Sequence, residues 1–439
     1  MRGQSSSFMV PAYRFLPHLD GSIMLARLPR DSQDRCWNIA LDGDLSGVDM
    51  EWALDRVIAS LQCAAEMSGV REGGATLSGA VVLPGGRGFL YNLGDSQTIM
   101  VQRRRGSKPS FENKALVFYN PDQVMQMYLE RKAAMQPKII AMTAAHEVPF
   151  DSSFMPTDKV YRVDLGDDSG AEADLSDALK ERGLMRKLSR KNFWLIEFKE
   201  ALPYEEIRLA IQDVSIKCKK HQPLWRVKTG LAMTRAIGDV QHKVSSTPDI
   251  QAVVFDPLQE LIVVAATDGV GDVISPKALV AYLAEKPVCA KIIVQYALGR
   301  WQAYSRESDD IAVASAHCEI GFSKSIVLGV ADGHGHNGHF FAQLCNNVFE
   351  YAFPVFLKSL AQCREPNWAE ARAKITSGLG FFISPDDDEL IVTALESIFE
   401  NLSKDYKEAL SAMHERATAM PRPAGAGCGA GVGGCSPSP

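Results

Sequence analysis

Apolar residues along this chain fall into two rhythms. Over 48–67 they recur at Met50, Ala53, Leu54, Val57, Ile58, Leu61 and Ala64, a spacing that gathers them on one face of a helix. Elsewhere they run together in short blocks, at 22–28, 36–41, 114–119, 138–142, 193–198, 250–255, 261–267, 311–316 and 325–331. Blocks of that length predict strands, and those without polar alternation predict strands buried on both faces. Over 75–92 two such blocks flank Pro84-Gly85-Gly86, the punctuation of a hairpin. Further helical spacing lies over 122–134, opening at an Asp cap, and over 175–187, 204–214, 276–285, 290–303, 338–360 and 387–413.

Strands interleaved with helices in this way predict an α+β fold. The stretch 150–224 departs from the pattern, acidic over 164–177 and basic over 187–191, and reads as a flap-like excursion. The expected organisation is one domain over 1–318 containing that excursion, a smaller unit over 319–420, and a disordered low-complexity tail over 421–439.

Charge and composition narrow the function classes. A formal net charge of -6, with one tight basic cluster at 103–105, gives no electrostatic footprint for nucleic acid. No run of about 18 apolar residues and no N-terminal apolar leader is present, so no membrane partner is expected. Nine cysteines without a C-x-x-C pair point to a reducing compartment, the cytoplasm or nucleus.

Candidate chemistry sits at strand ends. The apolar block 261–267 runs directly into Asp268-Gly269, with Asp272 four residues on. A lone carboxylate buried there would cost several kcal/mol, so a counter-cation is expected, and a hard metal ion suits oxygen ligands. Similar junctions occur at Asp42-Gly43, Gly94-Asp95 and Asp332-Gly333, while Asp309 precedes a strand. Ordinary turn chemistry is the alternative for each. His334, His336 and His339, with His317 or Cys318, offer a separate zinc-ligand pattern.

Five stretches then add up. LYNLGDS (90–96) is similar to an N-x-G-D-S strand end, and MTAAHEV (142–148) to L-T-x-D-H-K with Ala145 in place of Asp. RVKTGLAMTRAIGD (226–239) is similar to R-V-x-G-x-L-A-x-S-R-A-x-G-D. VVAATDGVGDVIS (263–275) resembles L-A-S-D-G-x-W-D-V with Gly271 in place of the aromatic, and SDDIAVA (308–314) resembles a D-N-x-T-V strand. In this order they resemble the metal-dependent Ser/Thr protein phosphatases of type 2C.

That resemblance implies a β-sandwich flanked by helices, here followed by a C-terminal partial repeat of a strand and two helices. It implies two Mg²⁺ or Mn²⁺ ions, or three, a metal-activated water, and phosphoserine or phosphothreonine protein substrates. Asp268 and Asp309 match ligands of the catalytic pair, and Asp95 and Asp272, with Asp268, match a third site. Arg30, in the run 30–34 that resembles R-x-x-x-E-D, is the candidate phosphate clamp. The alternative is a pseudophosphatase that binds or scaffolds, because the early Asp42-Gly43 motif lacks its His and Ala145 replaces an Asp.

The family's D-G-H-G motif has two candidates. Asp42-Gly43 stands in the family's order; Asp332-Gly333-His334-Gly335 is the fuller copy but lies after the last expected strand of the first domain. The two exclude each other, since two strands cannot fill one position. Local strand pairing and cheap loop closure favour Asp42-Gly43, making 319–420 a partial second module. If instead Asp332-Gly333 completes the site, 319–420 is a permuted front half and His334 is the candidate general acid.

Overall fold

A computed structural model describes residues 14–18, 21–26, 33–103, 137–147, 160–164, 185–190, 193–197, 224–227, 230–242, 244–285, 289–303, 309–379 and 388–419. The expected strand over 114–119, the helices over 122–134 and 204–214, Arg30 and the tail over 421–439 lie outside those residues.

In chain order, β1 (Arg14–His18), β2 (Gly21–Ala26) and β3 (Arg35–Leu41) precede helix α1 (Met50–Met67). Next come β4 (Gly73–Leu83), β5 (Arg87–Leu93), β6 (Gln97–Arg103) and β7 (Lys138–Met142). The excursion holds β8 (Val160–Asp164), β9 (Met185–Arg190), β10 (Phe193–Glu197) and β11 (Leu224–Val227). They are followed by β12 (Ile237–Gly238), β13 (Asp249–Val254) and β14 (Glu260–Ala266). A single turn α2 (Asp268–Gly271) leads to α3 (Pro276–Glu285), α4 (Ala290–Ala303), β15 (Ile311–Cys318) and β16 (Ser325–Gly335). The chain then runs through α5 (Gly338–Asn347), a π-helical turn (Val348–Ala352), α6 (Phe353–Gln362), α7 (Ala369–Leu379) and α8 (Asp388–Ala419).

Two antiparallel sheets form the body. One has the order β1-β2-β15-β14-β6-β7, the other β13-β5-β4-β16-β3 with β12 paired to the start of β4. The period-2 geometry of a strand explains why the central strands read as unbroken apolar blocks. On β14, Leu261, Val263 and Ala265 enter the core between the sheets, while Ile262, Val264 and Ala266 meet α3 and α4 on the outer face. On β16, Ile326, Leu328 and Val330 face the inter-sheet core, and Val327 and Ala331 face the helices. The result is a helix–sheet–sheet–helix sandwich. Among the described residues no helix is long and apolar enough to cross a membrane.

Helix α1 starts where Asp49 accepts the Trp52 N–H at 3.2 Å, a side-chain cap. Its expected apolar face is the one that is buried. The pattern over 338–360 is a helix as expected, but a π turn divides it. Phe349 in that turn stacks against Trp37 of β3 and Tyr91 of β5, with centroids 5.0 and 5.2 Å away, which fastens the late helices to early strands. The last helix runs longer than its predicted span, and α7 was not foreseen.

The boundary drawn at 318/319 divides neither sheet nor core. Strand β16 lies between β4 and β3, paired antiparallel to both, and the cluster that α1 closes also contains α5 to α8. The excursion strands form their own four-stranded sheet, β11-β8-β10-β9. The helix expected over 175–187 runs into β9, and the rest of that span is outside the described residues.

Candidate metal centre

The carboxylates meet at one end of the sandwich. Asp332 lies near the end of β16, Asp268 follows β14, Asp95 follows β5, and Asp34 precedes β3. Because β16 and β3 are antiparallel, with Ala331 opposite Arg35, Asp332 and Asp34 fall at the same end. One carboxylate oxygen from each of Asp95, Asp268 and Asp332 lies within 4.8 Å of the others. Across the next pairing Asp332 stands opposite Thr76, whose Oγ1 lies 2.6 Å from Ser96 Oγ beside Asp95.

The glycine after each aspartate has a steric reason. A Cβ on Gly269 would sit 2.2 Å from the Asp310 carbonyl oxygen, and one on Gly333 2.5 Å from that of Gly338 and 2.8 Å from that of Gln33. A second segment therefore crosses each strand end at van der Waals contact. The crossing segments carry acids of their own: Asp309-Asp310 in the first case, Asp34 in the second. Gln33 donates its backbone N–H to Asp310 Oδ2 at 3.4 Å, which ties the two crossings together.

So many acids in one place resist ionisation. Burial, then the charges of Asp95, Asp309 and Asp272, hold the Asp268 carboxyl well above the usual range. Burial and the charges of Asp34 and Asp268 do the same to Asp332. Burial pushes Asp34 up to about 7, partly offset by Asp332 and Thr267 beside it, with the charges of Asp310 and Asp309 adding to the rise. Asp95 is raised by burial against partial relief from His334. Both oxygens of Asp34 and one of Asp95 are buried without a hydrogen-bond partner among the described residues. Orphaned, crowded, hard oxygen donors are what a divalent cation satisfies, so the residues present fit a metal site.

Other acids stand at the rim. Asp309 is exposed and accepts the Asp310 N–H at 2.8 Å. Asp272 and Glu147 are also exposed; burial of their carboxyls and the charge of Asp95 on both raise them. Asp34, Asp310 and Glu147 were not among the expected ligands. Asp34 lies in the run 30–34, but its polar surroundings carry no strand-end signal. Glu147 lies two residues after Ala145, where the similar family motif has Lys.

Two histidines support the centre in different ways. His334 pairs through Nε2 with Asp239 Oδ2, and its Nδ1 is buried with no partner among the described residues. Asp239 adopts a left-handed φ of 47°. A Cβ on Gly74 would strike its Oδ2 at 2.2 Å, so β4 makes room for this carboxylate by having no side chain there. His146 accepts the Gly94 N–H on Nδ1 at 3.0 Å, and its Nε2 lies 2.8 Å from Asp249, itself held by Arg235. This braces the turn that presents Asp95 and gives His146 a structural role.

The Asp42-Gly43 expectation is corrected. Asp42 follows Leu41, which pairs with Ser325, so it lies a strand length from Asp332, at the far end of the sheet. It is 80% exposed and pairs with Lys324 at 3.5 Å. A Cβ on Gly43 would meet nothing within 4 Å, so this is an open turn. The His absent after Asp42-Gly43 stands instead as His334, in the motif that reaches the cluster. The zinc pattern is not assembled either. His336 is exposed, His317 lies 3.5 Å from Glu260 at the other end of β14, and Cys318 is buried in the inter-sheet core. Among the described residues the only converging group is Asp95, Asp268 and Asp332. Arg35, the nearest described Arg in sequence to Asp34, turns its Nε to Gln343 Oε1.

The protein phosphatase 2C family model matches residues 199–286. Over 210 residues the chain is 29% identical to "Probable protein phosphatase 2C 48" of Oryza sativa subsp. japonica, covering 44% of this chain and 58% of that protein. Over 170 residues it is 29% identical to "Probable protein phosphatase 2C 34" of Arabidopsis thaliana, covering 35% and 45%. The chain thus spans about half the length of the curated relatives it matches. A solved serine-threonine phosphatase 2C from Toxoplasma gondii aligns with 71% of this chain and 100% of its own at 14% identity, with a TM-score of 0.31, too low to bear on the fold.

Proposed function

We propose that this chain, similar to protein phosphatase 2C proteins over part of its length, hydrolyses phosphoserine and phosphothreonine in protein substrates with Mg²⁺ or Mn²⁺. The observation that carries the reading is the convergence of Asp95, Asp268 and Asp332 beside the orphaned oxygens of Asp34. Asp332, Asp268 and Asp34 would hold a pair of cations, with Asp309 closing from the rim and Asp95, Asp272 and Glu147 available to a third. When bound, such cations supply an acidified water for in-line attack on a phosphomonoester and offset developing negative charge.

The protein's own groups divide the remaining work. Asp239 engages His334 Nε2, which leaves Nδ1 as the atom to hand a proton to the departing seryl or threonyl oxygen. His146, Asp249 and Arg235 hold the Asp95 turn in place. Strand β16 with α5 and α6 is read as the family's front segment, permuted to the far side of β15. The sheet β8–β11 is read as a flap that governs substrate choice, and a cytoplasmic or nuclear location is proposed on the cysteine pattern alone.

The test is calorimetry of Mn²⁺ binding together with hydrolysis of p-nitrophenyl phosphate and a phosphothreonine peptide. Wild type should bind and turn over; Asp268→Asn should lose both, since it removes a ligand charge. A wild-type protein that neither binds Mn²⁺ nor hydrolyses either substrate would sink the reading.

A further inference from the structure

The turn that carries Asp268 and Asp272 is held from outside by α4, where Arg300 Nε donates to the Val273 carbonyl at 3.4 Å and a second side chain lies closer. Helix α2 is a single turn of four residues, far too short to be stable alone. Within it the Asp272 N–H reaches the Asp268 carbonyl at 2.8 Å, and both Val273 and Ile274 donate to Val270, at 3.2 and 2.9 Å. The Gly269 carbonyl is thereby left over by the backbone, one of the unmet acceptors of a helix end. Trp301 of α4 takes it: the indole Nε1–H donates to Gly269 O at 2.7 Å.

Of the two α4 side-chain bonds to the turn this is the shorter. A Cβ on Gly271, the position where the similar family motif has an aromatic, would meet no atom within 4 Å. On the opposite side the backbone of Asp310 abuts Gly269, and Thr267 exchanges bonds with Ala312. The turn bears two carboxylates that repel each other and Asp95. Its geometry must therefore be imposed rather than self-maintained.

We propose that Trp301 is a positioning residue for the metal centre: its indole N–H, by anchoring Gly269, keeps the Asp268 and Asp272 carboxylates aimed at the cation. This rests on the metal-dependent reading above. A turn freed from that anchor must be ordered when the cation binds, so the loss appears in metal affinity.

Trp301→Phe keeps the ring and removes the donor. Calorimetric Mn²⁺ binding by the full chain should weaken about five- to tenfold, the worth of one hydrogen bond, while KM for p-nitrophenyl phosphate at saturating Mn²⁺ stays within twofold. Leu283→Ala, a buried α3 residue of the same outer cluster, serves as the control for general loosening, with both variants' melting followed in chelator. The inference stands if Trp301→Phe loses more affinity than Leu283→Ala for an equal or smaller loss of stability. It is overturned if Trp301→Phe binds Mn²⁺ as wild type does, or if Leu283→Ala weakens binding as much. Should wild type bind no Mn²⁺, the metal reading fails and this inference falls with it; wild-type binding matched by Trp301→Phe would sink the inference alone.

Discussion

Asp34 and Asp332 stand side by side at one end of the β3–β16 pairing, and after burial it is the charge of Asp34 that most raises the Asp332 carboxyl. The metal-free site is therefore a store of electrostatic repulsion that a cation relieves, and stability should report on it.

The sign follows from Asp34, whose carboxyl is raised from 3.8 to about 7 by burial. Between those values the folded protein keeps a proton that the unfolded chain has released, so stability falls as pH rises from about 4 to about 7. Each tenfold change in proton affinity is worth about 1.4 kcal/mol, and Asp268, Asp332 and Asp95 move in the same direction. Melting in chelator should drop by several degrees from pH 5 to pH 8, and Mn²⁺ at pH 8 should restore it by mass action. A flat profile with no response to Mn²⁺ would contradict this.

Asp34→Asn should separate stability from function. Removing one buried charge from the cluster should raise the melting temperature in chelator at pH 8, while Mn²⁺ affinity falls at least tenfold. A variant less stable than wild type under those conditions would mean that the interactions of Asp34 with Asp332 and Thr267 outweigh its burial.

Asp332→Ala and Asp42→Ala should differ sharply. The first removes a member of the converging group and should abolish turnover and Mn²⁺ binding. The second breaks an exposed pair at the far end of β3, where substitutions shift stability by about 0.5 kcal/mol or less, and activity should stay within twofold. Equal losses in the two variants would restore the Asp42-Gly43 assignment.

A chain ending at Ala316 should not fold. It lacks β16, which is the only described strand paired with β3, and the helices α5 to α8 that close the larger core. Circular dichroism should show no cooperative melting. A cooperative, Mn²⁺-binding fragment would mean that the first 316 residues make a complete domain.

Much of this architecture is legible in the sequence. The block 261–267 announced a doubly buried strand because Val263 and Val264 face opposite cores, and α1 showed its buried stripe by spacing alone. Asp268 and Asp95 were legible because carboxylates at the ends of apolar strands are conspicuous. The position of β16 was not. Local pairing was expected to win, but loop closure costs only about 0.6 kcal/mol per doubling of length, so joining β3 to a distant strand adds roughly 2 kcal/mol. Burying Val327, Leu328 and Val330 completely outweighs that at about 1.5–3 kcal/mol per side chain. Asp34 escaped because nothing in a polar run says which strand end it will meet, and Trp301 because its partner is a backbone carbonyl with no sequence signature.

The seat of β16 between β4 and β3 also orders events on the ribosome. β4 and β5 can close their hairpin as soon as they emerge, yet β3, made earlier, has no described strand to pair with until β16 follows. One sheet thus waits, with a strand-wide gap open to aggregation or chaperone capture, until the very segment bearing Asp332 slots in. The last piece that closes the wall is the piece that brings Asp332 to the candidate metal centre, so nascent chains arrested before Gly335 should remain protease-sensitive and fail to bind Mn²⁺ together.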